Sequence, residues 1–295
     1  MESASVTTPA HSLFDAKQTP GKHGARASTS SSGSADLLTA LGASLVSVTP
    51  AVVSSFYAAP PVHPASSSSF CFLFAPVFHP AMAHIAPLRR ELGCRTVFNV
   101  LGPLLNPVDY SQQPAGGLEA RILGVGRTEL GPVYAQTLSL LGAAKKALVV
   151  CGAEQLDEIS PEGYTDCWQV APGTADQICQ FRIHPTETFG LATHPLGDVA
   201  GGRGPEENAK ILKRLLAGEM PVGDPIMDFV LCNAAALVAV AGAVGGDSQV
   251  GADGVVRGSL WTNAVERAKA GIASGESWRC WTRFAQVTVE AKACA

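Results

Sequence analysis

Lys22 and His23 open a stretch with the makings of a phosphate cradle. It reads Lys22, His23, Gly24, Ala25, Arg26, Ala27, Ser28, Thr29, Ser30, continues through further hydroxyls to Ser34, and meets Asp36 at the start of an apolar run. Backbone N–H groups at a glycine turn, hydroxyl donors, a cation and a helix start together suit an anion. Taken alone, the same residues also describe a serine-rich loop ending in a helix cap, with Lys22 a solvated charge and His23 a structural histidine. A second feature is the adjacent pair Asp157 and Glu158, in the segment Leu156-Asp157-Glu158-Ile159-Ser160. Paired carboxylates just past a buried strand can hold a hydrated divalent cation together with phosphate oxygens; an acidic surface turn is the other reading. A third is the arginine-rich segment from Arg89 to Pro107, which ends in Gly102-Pro103 and Asn106-Pro107 turns. One arginine turned inward there could grip a carboxylate bidentately, whereas Arg89 and Arg90 on an outer helix face would simply be solvated.

The elements that must position these groups follow from periodicity. Ala120–Gly126 and Lys146–Gly152 are short apolar runs of strand length. Between them Leu130, Val133, Tyr134, Leu138 and Leu141 recur at helical spacing. Strand, helix and strand in that order predict a right-handed crossover and parallel pairing. A helix is expected from Ser34 or Asp36, stopping at Gly42. Another is expected over His79–Gly93, with Pro80 in its first turn and Pro87 bending or interrupting it. Segments around Trp168 and Phe181 are candidate strands. Helices are expected from Pro205 to Gly218, with Leu212, Leu215 and Leu216 on its apolar stripe, and from Trp261 to Gly275, the last in the chain. Trp278, Trp281 and Phe284 read as packing residues. The total predicts an α/β domain, with residues 1–20 as a loose leader and Pro60–Ser69 as an exposed loop.

Composition narrows the functions. The 295 residues carry a net charge of −4, which gives no electrostatic basis for nucleic acid or an anionic membrane. Apolar residues make up 46% of the chain, enough for a sizeable core. The apolar run Phe229–Val244 is short for a bilayer, contains Asn233 and follows Asp228, so it reads as a buried core helix. No basic start with an apolar centre marks a signal peptide. Eight scattered cysteines without zinc spacing imply free thiols in a reducing cytoplasm. The Gly124-Val125-Gly126 run lacks the remainder of a dinucleotide fingerprint, and no nucleophile elbow is present.

The three chemical segments also share the order and spacing of one family. Lys22–Gly42, Phe72–Pro107 and Ala147–Ser160 resemble the anthranilate phosphoribosyltransferases of tryptophan biosynthesis, and the likeness runs from about Lys22 to Ala270. The resemblance implies a nucleoside phosphorylase-like phosphoribosyltransferase α/β domain, a central β-sheet flanked by helices, over residues 21–295. It implies glycosyl transfer of 5-phosphoribose from phosphoribosyl pyrophosphate to the amine of anthranilate. It places Lys22, His23, Gly24, Ala25, Arg26, Ala27, Ser28, Thr29, Ser30 and Ser34 on phosphoribosyl pyrophosphate. It places Ala25, Arg89, His23, Gly102 and Pro103 around anthranilate, and Asp157 and Glu158 on Mg²⁺. The family is a homodimer built on a small N-terminal helical domain.

Two departures bear on these expectations. The family motif has Asn where this chain has Ala25. The glycine-rich loop and the helical domain that precede this motif in the family do not occur in residues 1–21, so the chain reads as a catalytic domain shortened at its front, with weak or no transfer expected. The alternatives are a non-catalytic relative acting as a binding partner and, on the shared fold, a pyrimidine nucleoside phosphorylase.

Overall fold

The computed structural model describes residues 21–26, 32–58, 70–92, 96–107, 120–141, 146–171, 178–202 and 204–293; the side chains at 55–58, 83, 86, 87, 89 and 90 are not among those described. The expected leader, the Pro60–Ser69 loop and the run Ala27 to Ser31 lie outside these residues. In chain order the strands are β1 (Gly21–Gly24), β2 (Cys71–Phe74), β3 (Ala120–Gly124), β4 (Lys146–Gly152), β5 (Thr165–Val170), β6 (Cys179–Ile183), β7 (Gln249–Val250) and β8 (Val256–Arg257). The helices are α1 (Ser34–Ala40), α2 (Pro50–Ala58), α3 (Ala75–Phe78), α4 (Met82–Leu92), α5 (Phe98–Leu101), α6 (Leu130–Leu141), α7 (Pro185–Phe189), α8 (Pro205–Leu216), α9 (Pro225–Ala241), α10 (Ser259–Ala273) and α11 (Glu276–Ala293).

The expected crossover is present. β3 pairs with β4 in parallel, Leu123 opposite Val149, and α6 links them. β5 and β6 continue this sheet in antiparallel sense, giving the order β3-β4-β5-β6. A separate parallel pair joins β1 to β2, His23 opposite Leu73. The sheets and helices form the α/β architecture expected from the sequence.

Two details of α6 and α4 differ from the periodicity reading. On α6 the buried residues are Gly131, Tyr134, Ala135 and Leu138, while Val133 and Leu141 are exposed. Gly131 decides the facing edge: a β-carbon there would lie 2.3 Å from the Trp168 ring, so the helix approaches β5 through its smallest residues. α4 starts at Met82, leaving Pro80 in the preceding turn, and continues through Pro87 rather than stopping there.

The C-terminal half supplies most of the core. α9 is buried almost all round, capped by Asp224, whose carboxylate accepts from the Ile226 and Met227 amides at 3.0 and 3.2 Å, and closed by Gly242 in the left-handed region. Among the described residues no helix is long and apolar enough to cross a membrane. α8 matches its expected stripe, with Leu212, Leu215 and Leu216 fully buried. α10 is not the last helix. α11 follows it, and its Trp281 and Phe284 pack with Phe70, the Phe70–Phe284 rings 5.1 Å apart edge to face. Truncating any of these rings to alanine would cost about 3–5 kcal/mol.

Candidate functional site

The two ends of the hydroxyl-rich run are pinned to one helix start. The Ala35 amide donates to the Ala25 carbonyl at 3.4 Å. Arg26 pairs with Asp36 at 2.9 Å and lies over the Phe74 ring. Asp36 also accepts from the Gly33 amide at 3.2 Å, satisfying a donor at the start of α1. Ser34 begins that helix and Ser32 beside it is buried. Ala27, Ser28, Thr29 and Ser30, expected on the same ligand, lie outside the described residues.

Lys22 and His23 project from β1 with opposite surroundings, as strand alternation requires. Burial lowers the Lys22 pKa, and the charges of Glu158 and Asp157 act on it in the other direction. Two stretches more than a hundred residues apart in sequence therefore lie near enough for their charges to act on each other. His23 is held down to about 4 by burial first, then by His79, Arg121 and Lys22, so its ring is neutral near pH 7. His23 stacks edge-on to His79 with ring centres 5.1 Å apart, and its Nε2 is buried without a hydrogen-bond partner.

Asp157 is exposed and Glu158 half-buried, at the carboxyl end of β4. Their loop is built from behind. The Ile159 amide donates to Asn233 of α9 at 3.1 Å, and Asn233 returns its own amide to the Phe229 carbonyl at 3.0 Å. The buried Ser160 hydroxyl donates to Glu154 at 2.8 Å and accepts from the Gly163 amide at 2.8 Å. His194 pairs with Asp228 at 2.9 Å, and its amide donates to the Pro161 carbonyl at 2.8 Å. With Asn233 on one side and the His194 segment on the other, the acidic pair stands on a fixed loop. An open cavity of about 430 Å³, lined by Gly126, Arg127, Glu129, Leu130 and Gln155, lies beside it at the ends of β3 and β4.

Gly102 and Pro103 form an exposed 3₁₀ turn after α5. The Arg121 guanidinium donates to the Pro103 carbonyl, and the Tyr134 hydroxyl donates to the Val100 carbonyl. His79 Nε2 meets the Leu105 carbonyl at 2.9 Å. The turn is thereby tied to His79, the ring partner of His23. Arg89 lies on α4, and its side chain is not among those described.

Thus β1 serves two neighbouring groups: Lys22 with the acidic pair, and His23, through His79, with the segment carrying the Gly102-Pro103 turn. Sequence reasoning missed Arg121, His79, Tyr134 and Asn233. Two had a signal: Arg121 interrupts an apolar strand, and Asn233 interrupts an apolar helix.

Comparison with known proteins places this arrangement. Residues 16–278 match the model of the glycosyl transferase family, a/b domain. The chain is 36% identical over 279 residues to the anthranilate phosphoribosyltransferase of Methylibium petroleiphilum, covering 93% of this chain and 68% of that one. This chain belongs to the anthranilate phosphoribosyltransferase family. It is 46% identical over 221 residues to the Schizosaccharomyces pombe member, covering 75% of this chain and 56% of that one. The solved Saccharomyces cerevisiae member in complex with phosphoribosyl pyrophosphate and Mg superposes with a TM-score of 0.80 at 33% identity, covering 98% of this chain and 71% of that one. The same yeast protein has been solved with 4-fluoroanthranilate, at a TM-score of 0.78 and 31% identity. The chain spans about half the length of several curated members that it matches.

Proposed function

We propose that this chain transfers 5-phosphoribose from phosphoribosyl pyrophosphate to the amine of anthranilate, releasing pyrophosphate, as a step of tryptophan biosynthesis. The observation that carries the reading is the meeting of Lys22 with Asp157 and Glu158, beside a run of hydroxyl residues pinned at both ends to α1.

The donor set fits Mg²⁺. Two neighbouring carboxylates on a braced loop offer hard oxygen ligands, and among the described residues no group of three or more His, Cys, Asp or Glu gathers into a closed metal cage. A metal that keeps its waters and takes the rest of its ligands from phosphate oxygens needs no more than this. When bound, Mg²⁺ supplies positive charge to the departing pyrophosphate.

The remaining roles belong to the chain. Lys22, the residues from Gly24 to Ser30 and Ser34 are assigned to the phosphates, where negative charge grows as the anomeric bond breaks. Neutral His23 and the Gly102-Pro103 turn border the acceptor without adding a competing charge. Arg89 takes the anthranilate carboxylate. The aromatic amine is already a nucleophile, so its orientation matters more than a strong base. The reading extends to a chain working in the cytoplasm, in keeping with the free thiols Cys71, Cys151, Cys167, Cys179, Cys232 and Cys280.

The test is incubation of the chain with anthranilate, phosphoribosyl pyrophosphate and Mg²⁺, with phosphoribosylanthranilate identified by mass. Magnesium-dependent product supports the proposal. Absence of product together with absence of binding of either substrate overturns it.

A further inference from the structure

Arg121 is not used by the chemistry just described, yet it occupies an unusual position. It lies on β3 and is 7% exposed, on the same strand face as Leu123, which packs against Tyr134 and Leu138 of α6. Burial pushes its pKa down to about 10. Among the described residues no carboxylate pairs with it. Burying a guanidinium without a counter-charge is unfavourable, and an apolar side chain would fill the same place more stably. What the arginine does there is donate to the Pro103 carbonyl, while its charge bears on His23.

Tyr134 repeats the arrangement from the next element. Burial raises its pKa, so it stays a phenol, and its hydroxyl donates to the Val100 carbonyl. One β3–α6 unit therefore holds two carbonyls, three residues apart, of the segment that carries Gly102 and Pro103. A single buried aliphatic residue could fill the space but could not fix those carbonyls.

We infer that Arg121 is a positioning residue for the acceptor: it holds the Gly102-Pro103 turn at the wall of the acceptor pocket, with Tyr134 as the second anchor. The inference rests on the proposed function for its acceptor, and on hydrogen bonds alone for its tether. In the proposed function the turn belongs to the acceptor side, so the effect should fall mainly on one substrate. A lysine, which can reach a single carbonyl with one N–H, should substitute in part, whereas methionine keeps the length and loses the donor.

The experiment compares the full chain with Arg121→Met, Arg121→Lys and Tyr134→Phe. Arg121→Met should raise the KM for anthranilate about tenfold, the order expected for one hydrogen bond from a charged donor. The KM for phosphoribosyl pyrophosphate should stay within about twofold, with Arg121→Lys recovering most of the loss. Amide hydrogen exchange across residues 99–105 should quicken in Arg121→Met and Tyr134→Phe. If Arg121→Met does not fold, Tyr134→Phe carries the same two readouts. Equal loss for both substrates, or unchanged anthranilate KM, overturns the acceptor role. Unchanged exchange across residues 99–105 overturns the tether. A parent chain that binds no anthranilate overturns the proposed function and the acceptor role with it, while the exchange comparison still decides the tether.

Discussion

A β-carbon built on Gly124 would lie 1.5 Å from the Asp157 carbonyl oxygen. The end of β3 and the loop bearing the acidic pair therefore touch backbone to backbone, and no side chain can stand between them. The alternate position Gly126 is different: its β-carbon would meet the Gln155 carbonyl at 3.5 Å, an ordinary contact.

Gly124→Ala should consequently displace the acidic loop, lower stability by about 1–3 kcal/mol and abolish magnesium-dependent binding of phosphoribosyl pyrophosphate. Gly126→Ala should leave both nearly unchanged. Denaturant unfolding and calorimetry on the two variants check this. Equal behaviour of the two would show that the close approach does not position the carboxylates.

His23 makes stability depend on acid. Its folded pKa, about 4, lies below the ordinary value of 6.5, through burial first and then the charges of His79, Arg121 and Lys22. Above the ordinary value both states are neutral and the contribution is complete. Below it the unfolded chain takes up a proton that the folded chain refuses, so stability falls as pH drops toward 4, by up to about 3 kcal/mol. His23→Gln should flatten the stability curve over that window. Denaturant titrations across it, run on both proteins, decide the matter; parallel curves would mean that His23 is not the group responsible.

Arg89 is assigned to the acceptor carboxylate from its place in the family motif. Loss of a fork-shaped partner from a desolvated carboxylate should weaken anthranilate binding by about 2–5 kcal/mol. Arg89→Lys should be nearly as damaging, because a point charge cannot reproduce two parallel N–H bonds. Undiminished anthranilate affinity in Arg89→Lys would place the arginine elsewhere.

Ala25, where the resemblance leads one to expect Asn, is exposed at the end of β1, with its carbonyl already bonded to the Ala35 amide. The backbone is fixed whatever the side chain, so Ala25→Asn should restore a single polar contact worth about 0.5–1.5 kcal/mol. Anthranilate titrations should show tighter binding, with phosphoribosyl pyrophosphate affinity unaltered. No change would mean that this position does not face the acceptor.

The parts legible in the sequence were local ones. The β3–α6–β4 crossover shows as two apolar runs around a helical period. Lys22 and the Asp157-Glu158 pair stand out because they flank glycine or end a strand. The pair β1–β2 was harder to see, since a four-residue strand of Gly, Lys, His and Gly has no apolar pattern, and its stability comes from Cys71–Phe74, whose four residues are all buried. α11 was missed because charged residues interleave Cys280, Trp281, Phe284 and Thr288, the buried positions that face the core. Arg121, His79, Tyr134 and Asn233 act on backbone atoms of segments far from them in sequence. Only the folded chain brings a strand arginine to a proline carbonyl, or a helix asparagine to the Ile159 amide.

The central claim is that Lys22 and the acidic loop form one site for a magnesium-bound pyrophosphate. Its most direct measurement is calorimetric titration of phosphoribosyl pyrophosphate into the full chain and into Asp157→Ala/Glu158→Ala, with and without Mg²⁺. Asp157 is exposed and Glu158 half-buried, and their loop is braced by Asn233 and Ser160, so the double variant should keep the parent's circular dichroism spectrum. The account predicts magnesium-dependent binding by the parent and none by the variant. Magnesium-dependent binding of equal strength in both would contradict it.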